Sequence, residues 1–346
     1  LVIAAFLLHS AVVLTSFFQP KISKYMMIRI LSICCLLATL GTATAQTFEH
    51  PGAYFDFFNR EHAAIAQKNM AYLQYAVHSE DLGTIGQQRL VLLEQLQSTQ
   101  NKLAALPPYA GDAGLRAEMQ AVLATYLNLF NLGFQEIEVL KSDAAESYEK
   151  MSRYLQAQTA AEQQMAQASA RFLTAQRQFA RTHDIELLEG APTSEAEQLN
   201  NLNTYQRNLF LRAFRLGTLN ARFLAALDQN EPTTLEEARQ ELARAAREEL
   251  TAVRLVGDFN GNTNYRDAVI AQVELYLSLA TREYVTVCQV AAKGSQMTPE
   301  DVASYNAAVQ ATNTRLNPAV EKVNQTLQEL LRTNVPKPAL KGVKQI

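Results

Sequence analysis

Apolar positions recur at alternating spacings of three and four along most of the chain, the period of helices that bury one face. In the first such segment, about Tyr54 to Val77, the seam is Phe55, Phe58, His62, Ile65, Asn69, Tyr72 and Ala76. The polar stretch from His78 to Asp81 and Gly83 close it. A second helix then carries Ile85, Leu92, Leu93, Leu96, Leu103 and Leu106 before Pro107-Pro108 stops it. The third, after Gly111-Asp112, presents Leu115, Met119, Val122, Tyr126, Leu129 and Ile137, with Asp112 as its N-cap and Gly133 as a weak point. The fourth, about Ala144 to Arg181, repeats every seven residues as Met151, Gln158, Met165, Phe172 and Phe179 beside an alanine line at Ala161, Ala168 and Ala175. That period favours near-parallel helix crossings of about 20°. Further helices follow at about Ala196 to Leu227, Leu235 to Leu255, Thr263 to Ala292 and Pro299 to Leu331, with Thr233 or Thr234 and Thr298 as caps. No sustained period-two segment competes with them.

The pattern occurs twice. Laying Tyr109-Ala110-Gly111 over Phe259-Asn260-Gly261 brings Arg116 onto Arg266, Ala121 onto Ala271, Tyr126 onto Tyr276 and Leu129 onto Leu279. A second match lays Glu149 over Glu300, Tyr154 over Tyr305 and Arg181-Thr182 over Arg332-Thr333. Long helices joined by short loops favour antiparallel neighbours. The expectation is therefore an all-α protein of two tandem antiparallel four-helix bundles from an internal duplication. The first bundle covers 52–187 and the second 196–333, with a linker at 188–195 interrupted by Gly190 and Pro192, a mobile tail at 334–346, and a separate core in each unit.

The N-terminus changes the picture of where the chain works. Read from Met26 or Met27, residues 26–45 form a signal peptide: Arg29, the apolar run Ile30 to Leu40, then Ala43-Thr44-Ala45 as the cleavage site. Residues 1–25 read either as upstream translation or as a membrane segment. Without residues 1–45 the chain keeps 28 basic and 34 acidic side chains, a balance that argues against a nucleic-acid partner. It also keeps Cys288 as its single cysteine, so stability comes from packing rather than an internal disulfide. The expected localisation is exported, in the periplasm, secreted or at the cell surface, with membrane association only if residues 1–45 are retained.

Candidate chemistry is sparse. Di-iron bundles need Glu-x-x-His pairs, and the residues three before His50, His62, His78 and His183 are Thr47, Asn59, Tyr75 and Ala180. Asp258-x-Asn260-x-Asn262-x-Asn264 matches the first ligand positions of a calcium loop, but Thr263 and Val269 stand where glycine and glutamate belong. No nucleophile elbow, Walker loop or dinucleotide fingerprint is present. The expectation is no catalytic residue, no metal and no cofactor. His62 and Asn69 either line a small polar cavity or fix helix register through buried hydrogen bonds. Arg116, Arg266, Tyr126 and Tyr276 either contact a ligand or partner, or tie each third helix to the preceding turn and core.

The signal segment, the helical unit of about 140 residues and the turn Leu106-Pro-Pro-Tyr-Ala-Gly-Asp112 together resemble a family of uncharacterised bacterial helical surface proteins. The resemblance covers the first unit and, more faintly, the second. It implies an exported helical protein and supplies no activity or site residues. The expected function is non-catalytic binding of a protein or envelope component; the alternative is a small-molecule sensor or carrier with a polar cavity in or between the bundles.

One consequence is testable from sequence alone. If Gly111 and Gly261 serve a turn with φ > 0, Gly111→Val or Gly261→Val destabilises its own unit by on the order of 1–3 kcal/mol. Thermal melts check this: unchanged curves exclude the turn role, and one merged, equally lowered transition excludes autonomous units.

Overall fold

A computed structural model describes residues 48–79, 81–129, 147–187, 194–229 and 231–338. The expected segments 1–25 and 26–45, Gly133, Ile137, most of the linker and the end of the tail lie outside these residues. Among the described residues every named element is a helix. They are α1 (Pro51–His78), α2 (Leu82–Ala105), α3 (Gly114–Asn128), α4 (Tyr148–Thr182), α5 (Ser194–Asp228), α6 (Pro232–Arg254), α7 (Asn264–Thr281), α8 (Glu283–Ala291) and α9 (Pro299–Asn334).

Helix starts follow from local chemistry. The His50 ring accepts the Ala53 N–H at 3.0 Å, and Asp81 and Ser147 accept from Gly83 and Lys150 at the starts of α2 and α4. Gly83 thus opens α2 rather than closing α1. Thr298 and Asp301 form a reciprocal capping box around Pro299, as expected for that threonine. Each such cap contributes about 1 kcal/mol. Pro232 starts α6 three residues earlier than Leu235, so Thr233 and Thr234 lie in its first turn instead of capping it.

The helix expected over Thr263 to Ala292 is broken at Arg282, whose φ of −128° and ψ of −81° are not helical. The break turns Tyr284 inward, where its ring stacks on Phe223 at 4.1 Å and its hydroxyl donates to Asn220 at 2.6 Å. Arg239 of α6 supplies a donor to the Ala280 carbonyl just before the break, at 2.8 Å. A buried hydrogen bond and a stacked ring outweigh the backbone continuity that periodicity alone favours.

The contacts show antiparallel neighbours. Glu61 of α1 meets Lys102 of α2, and Tyr54 and Phe58 of α1 meet Phe179 and Phe172 of α4. Tyr126 of α3 hydrogen-bonds Ser169 of α4, while Asp112, just before α3, faces His183, just after α4. In the second half, Arg212 and Arg222 of α5 meet Glu249 and Glu241 of α6. The α4 seam is as expected: Met151, Gln158, Met165, Phe172 and Phe179 are all buried, with Ala161 and Ala168 beside them.

The halves are in contact. Arg207 of α5 pairs with Glu162 of α4 and donates to Thr159 at 3.3 Å, leaving the two charged side chains only 11% and 12% exposed. Burial holds the Glu162 carboxyl above its usual range despite the pull of Arg207. At another point His78, ending α1, hydrogen-bonds the Val335 carbonyl after α9 at 2.8 Å. Buried apolar residues from both halves form one contiguous cluster instead of two separate cores. The reason is that α4 and α5 are long enough to bury a face in their own half and still pack against each other. This shared face favours a merged melting transition over two independent ones.

The turn between α2 and α3 recurs between α6 and α7 with the same geometry. Ala110 and Gly111 have φ of 50° and 86°, and Asn260 and Gly261 have φ of 53° and 81°. Tyr109 and Asp112 exchange both backbone hydrogen bonds, at 3.2 and 2.8 Å, as do Phe259 and Asn262, at 3.0 Å each. This is the two-residue turn with two positive φ values usual in β-hairpins, here reversing the chain between helices. Glycine at 111 and 261 is thereby explained. Asp112 bonds the Gly114 N–H at 2.8 Å and Asn262 bonds that of Asn264 at 2.9 Å, so each acts as a local turn anchor just ahead of its helix.

Asparagine tolerates the left-handed region better than alanine does. Ala110→Asn is therefore expected to stabilise the protein, and Asn260→Ala to destabilise it, each by about 1 kcal/mol. Chemical denaturation of the two variants checks the opposite signs.

Candidate functional site

The two turns are the most elaborated local feature. Tyr54 of α1 packs on Tyr109 at 5.5 Å with planes tilted 39°, and Tyr205 of α5 packs on Phe259 at 5.4 Å and 39°. Arg116 donates to the Leu106 carbonyl, and Arg266 donates to the Val256 carbonyl at 3.2 Å, each ten residues upstream. The two arginines thus clamp the end of the preceding helix to the start of the next. Burial raises the hydroxyl pKa of both Tyr54 and Tyr205, and the nearby Arg116 or Arg266 partly opposes it. The backbone tips Ala110, Gly111, Asn260 and Gly261 are exposed.

Tyr126 and Tyr276 sit behind the turns. Tyr126 is buried with its hydroxyl 2.8 Å from Ser169, and Tyr276 is buried, which pushes its hydroxyl well above the usual range. Both serve the core in this geometry.

His62 and Asn69 are not brought together. Asn69 is fully buried, but His62 is exposed, its ring 6.1 Å from Phe172 at the edge of the α1 and α4 contact. The expected polar cavity lined by both residues is therefore corrected.

Several features were not singled out from sequence. His183, one residue past α4, lies on Phe179 at 4.3 Å and Tyr109 at 5.3 Å, with Nε2 3.5 Å from the Asp112 carboxylate. It closes the first turn from the α4 side. In the second half Glu249 is 8% exposed and receives Arg212 at 2.8 Å and Arg215 at 2.6 Å. The signal was the arginines at i and i+3 on α5 facing Glu248-Glu249 on α6. Asn203, Gln206 and Gln272 are buried, and their side-chain amides find no hydrogen-bond partner among the described residues.

Asp258, Asn262 and Cys288 make local contacts. Asp258 Oδ1 accepts the Gly261 N–H at 2.6 Å and Asn262 accepts from Asn264, so the calcium-like side chains bond their own backbone. Among the described residues no group of three or more metal-ligating side chains converges. Burial pushes the Cys288 thiol up to about 12, helped by the neighbouring Glu236 carboxylate, so it stays protonated near neutral pH. No described helix is long and apolar enough to cross a membrane. Comparison with family models, curated proteins and solved structures finds no match in any of the three.

Glu236 gives a pH test of this region. Hydrogen bonds from Arg239 hold its carboxyl down to about 2, against a usual value of 4.5. A depressed carboxylate stabilises the fold above its unfolded pKa and loses that contribution as pH falls through the folded one. Glu236 is 40% exposed, so solvent screens the effect. Melting temperatures of the wild type and Glu236→Gln are expected to differ most above pH 4.5 and to converge as the pH approaches 2; a constant difference excludes the linkage.

Proposed function

We propose that this chain is an exported, non-catalytic helical protein, built as two tandem antiparallel four-helix bundles from an internal duplication, that binds another protein or an envelope component through its paired turns. The observation that carries this reading is the repetition of one rigid turn with an exposed tip: the same φ pair, backbone exchange, arginine clamp and aromatic support occur at 109–112 and 259–262. α1 runs antiparallel to α4, with Tyr54 and Phe58 on Phe179 and Phe172, and so does α5, with Arg207 and Arg215 on Glu162 and Tyr148, so the two turns face the same way along the molecule. Leu255 stands 83% exposed beside the second turn, an apolar contact within reach of a partner. Matched, preorganised loops lose little entropy on binding, and two of them on one chain raise avidity. Export rests on the signal pattern at 26–45. Kinship with bacterial helical surface proteins, read from the turn motif, belongs to the same proposal.

The alternative, a small-molecule sensor or carrier, is favoured by the buried amides of Asn203, Gln206 and Gln272. Each unpaired buried amide costs about 1–3 kcal/mol, a cost that a polar ligand or bound water would remove.

The two readings separate in one set of measurements. Immobilised full-length protein at micromolar concentration is expected to retain a specific envelope component that a Leu255→Asp/Asn260→Lys variant with unchanged helicity no longer retains. Equal recovery by both proteins, or none by either, counts against the turns as the binding site. A thermal-shift screen of small polar compounds reads the alternative: a ligand at 100 times its Kd stabilises the fold by about 2.7 kcal/mol. Loss of that shift in Gln272→Leu would favour the carrier reading.

A further inference from the structure

The packing of Tyr54 on Tyr109 and of Tyr205 on Phe259 sets the register between the repeats, with α5 lying 151 residues after α1. The arginine clamps set α6 150 residues after α2. In that register Glu61 of α1 corresponds to Arg212 of α5, and Thr99 of α2 corresponds to Glu249 of α6. These positions touch in both units. Thr99 donates to Glu61 at 2.6 Å beside the Lys102 ammonium, also at 2.6 Å, whereas Arg212 donates to Glu249 at 2.8 Å. The same crossing point therefore carries opposite charge polarity in the two halves: the carboxylate is on the first helix in one and on the second in the other. The second half repeats its polarity along the helix pair, with Arg215 and Arg222 of α5 on Glu249, Glu248 and Glu241 of α6.

We propose that this inversion is the device that keeps α1 with α2 and α5 with α6, blocking helix exchange between the two repeats and between copies of the chain. The proposal rests on the duplication reading above. Duplicated helices share an apolar seam, so hydrophobic burial alone discriminates weakly between right and wrong partners. Mispairing α1 with α6 sets Glu61 against Glu249, and mispairing α5 with α2 sets Arg212 against Lys102. Glu61 and Glu249 are 12% and 8% exposed, so like charges there meet in a poorly screened environment. Arg207 and Glu162 add a correct α4 to α5 contact but do not distinguish α2 from α6.

The test gives the first half the polarity of the second. The full-length variant Glu61→Arg/Thr99→Glu/Lys102→Ala carries at each position the residue found at its counterpart. After dilution from urea, size exclusion with light scattering reads the dimeric fraction, and circular dichroism reads the melt. The expected result is a cooperative melt with a dimeric fraction raised several-fold over wild type. A cooperative melt with the wild-type monomer fraction overturns the proposal. Loss of a cooperative melt instead overturns the positional equivalence, and with it the duplication reading. The wild type then still tests the role of charge: between about 0.01 M and about 1 M salt the Debye length falls from about 30 Å to about 3 Å. Refolding across that range should raise the dimeric fraction, and an unchanged fraction overturns charge as the discriminator.

Discussion

The chain reversals between α2 and α3 and between α6 and α7 each use left-handed backbone at two consecutive residues. Ala110-Gly111 and Asn260-Gly261 supply it, and the surrounding structure is arranged to hold it. An aromatic residue on each side of the first helix contact supports the turn from below, and an arginine ties the end of one helix to the start of the next. Because the strain is local and the supports come from three helices, displacement of the turn would move the helices that pack around it. The turn thus sets the register on which the buried seams of α1 and α4, and of α5 and α6, depend.

Buried polar groups then distinguish otherwise similar helix faces. Glu249 between Arg212 and Arg215, Glu162 with Arg207, and Tyr284 with Asn220 each place a directional contact within an apolar contact surface. Such groups add little net stability, since desolvation offsets the attraction, but an incorrect partner leaves them unpaired at a cost of several kcal/mol. They select among packings that hydrophobic burial alone would accept. Asn203, Gln206 and Gln272 depart from that pattern, with buried amides unmatched by described side chains or backbone, and they are the polar interior on which a ligand reading rests.

The charge pattern and the turns bear on different functions of the surface. The exposed tips present backbone and small side chains in a fixed shape, which suits recognition by shape and hydrogen bonding rather than by charge steering. The dense ion pairs of α5 and α6 lie at the helix contact and its margins, where they are largely satisfied within the chain. The helix faces thus carry mixed, internally paired charge, whereas the tips Ala110-Gly111 and Asn260-Gly261 carry none.

How much of this was legible depends on the range of the interaction. The helices, the α4 seam from Met151 to Phe179, the turn glycines and the cap at Thr298 were readable because each reflects a period, a φ requirement or a hydrogen bond within a few residues. The role of Arg116 and Arg266 was readable as one of two options. His62 was misplaced because Phe55, Asn69 and Ala76 on the same line of α1 are buried and only the packing around α1 leaves His62 exposed, and the break at Arg282 was missed because its cause, Phe223 and Asn220, lies on another helix. The sequence by itself determined the all-α class, the α4 seam and the recurrence of the turn, all properties of local backbone and side-chain spacing. Only the tertiary structure decided that the two halves share one buried cluster, that His62 lies exposed at the edge of the α1 and α4 contact, and that Glu61 meets Thr99 and Lys102 while Glu249 meets Arg212 and Arg215, because those depend on which distant surfaces meet.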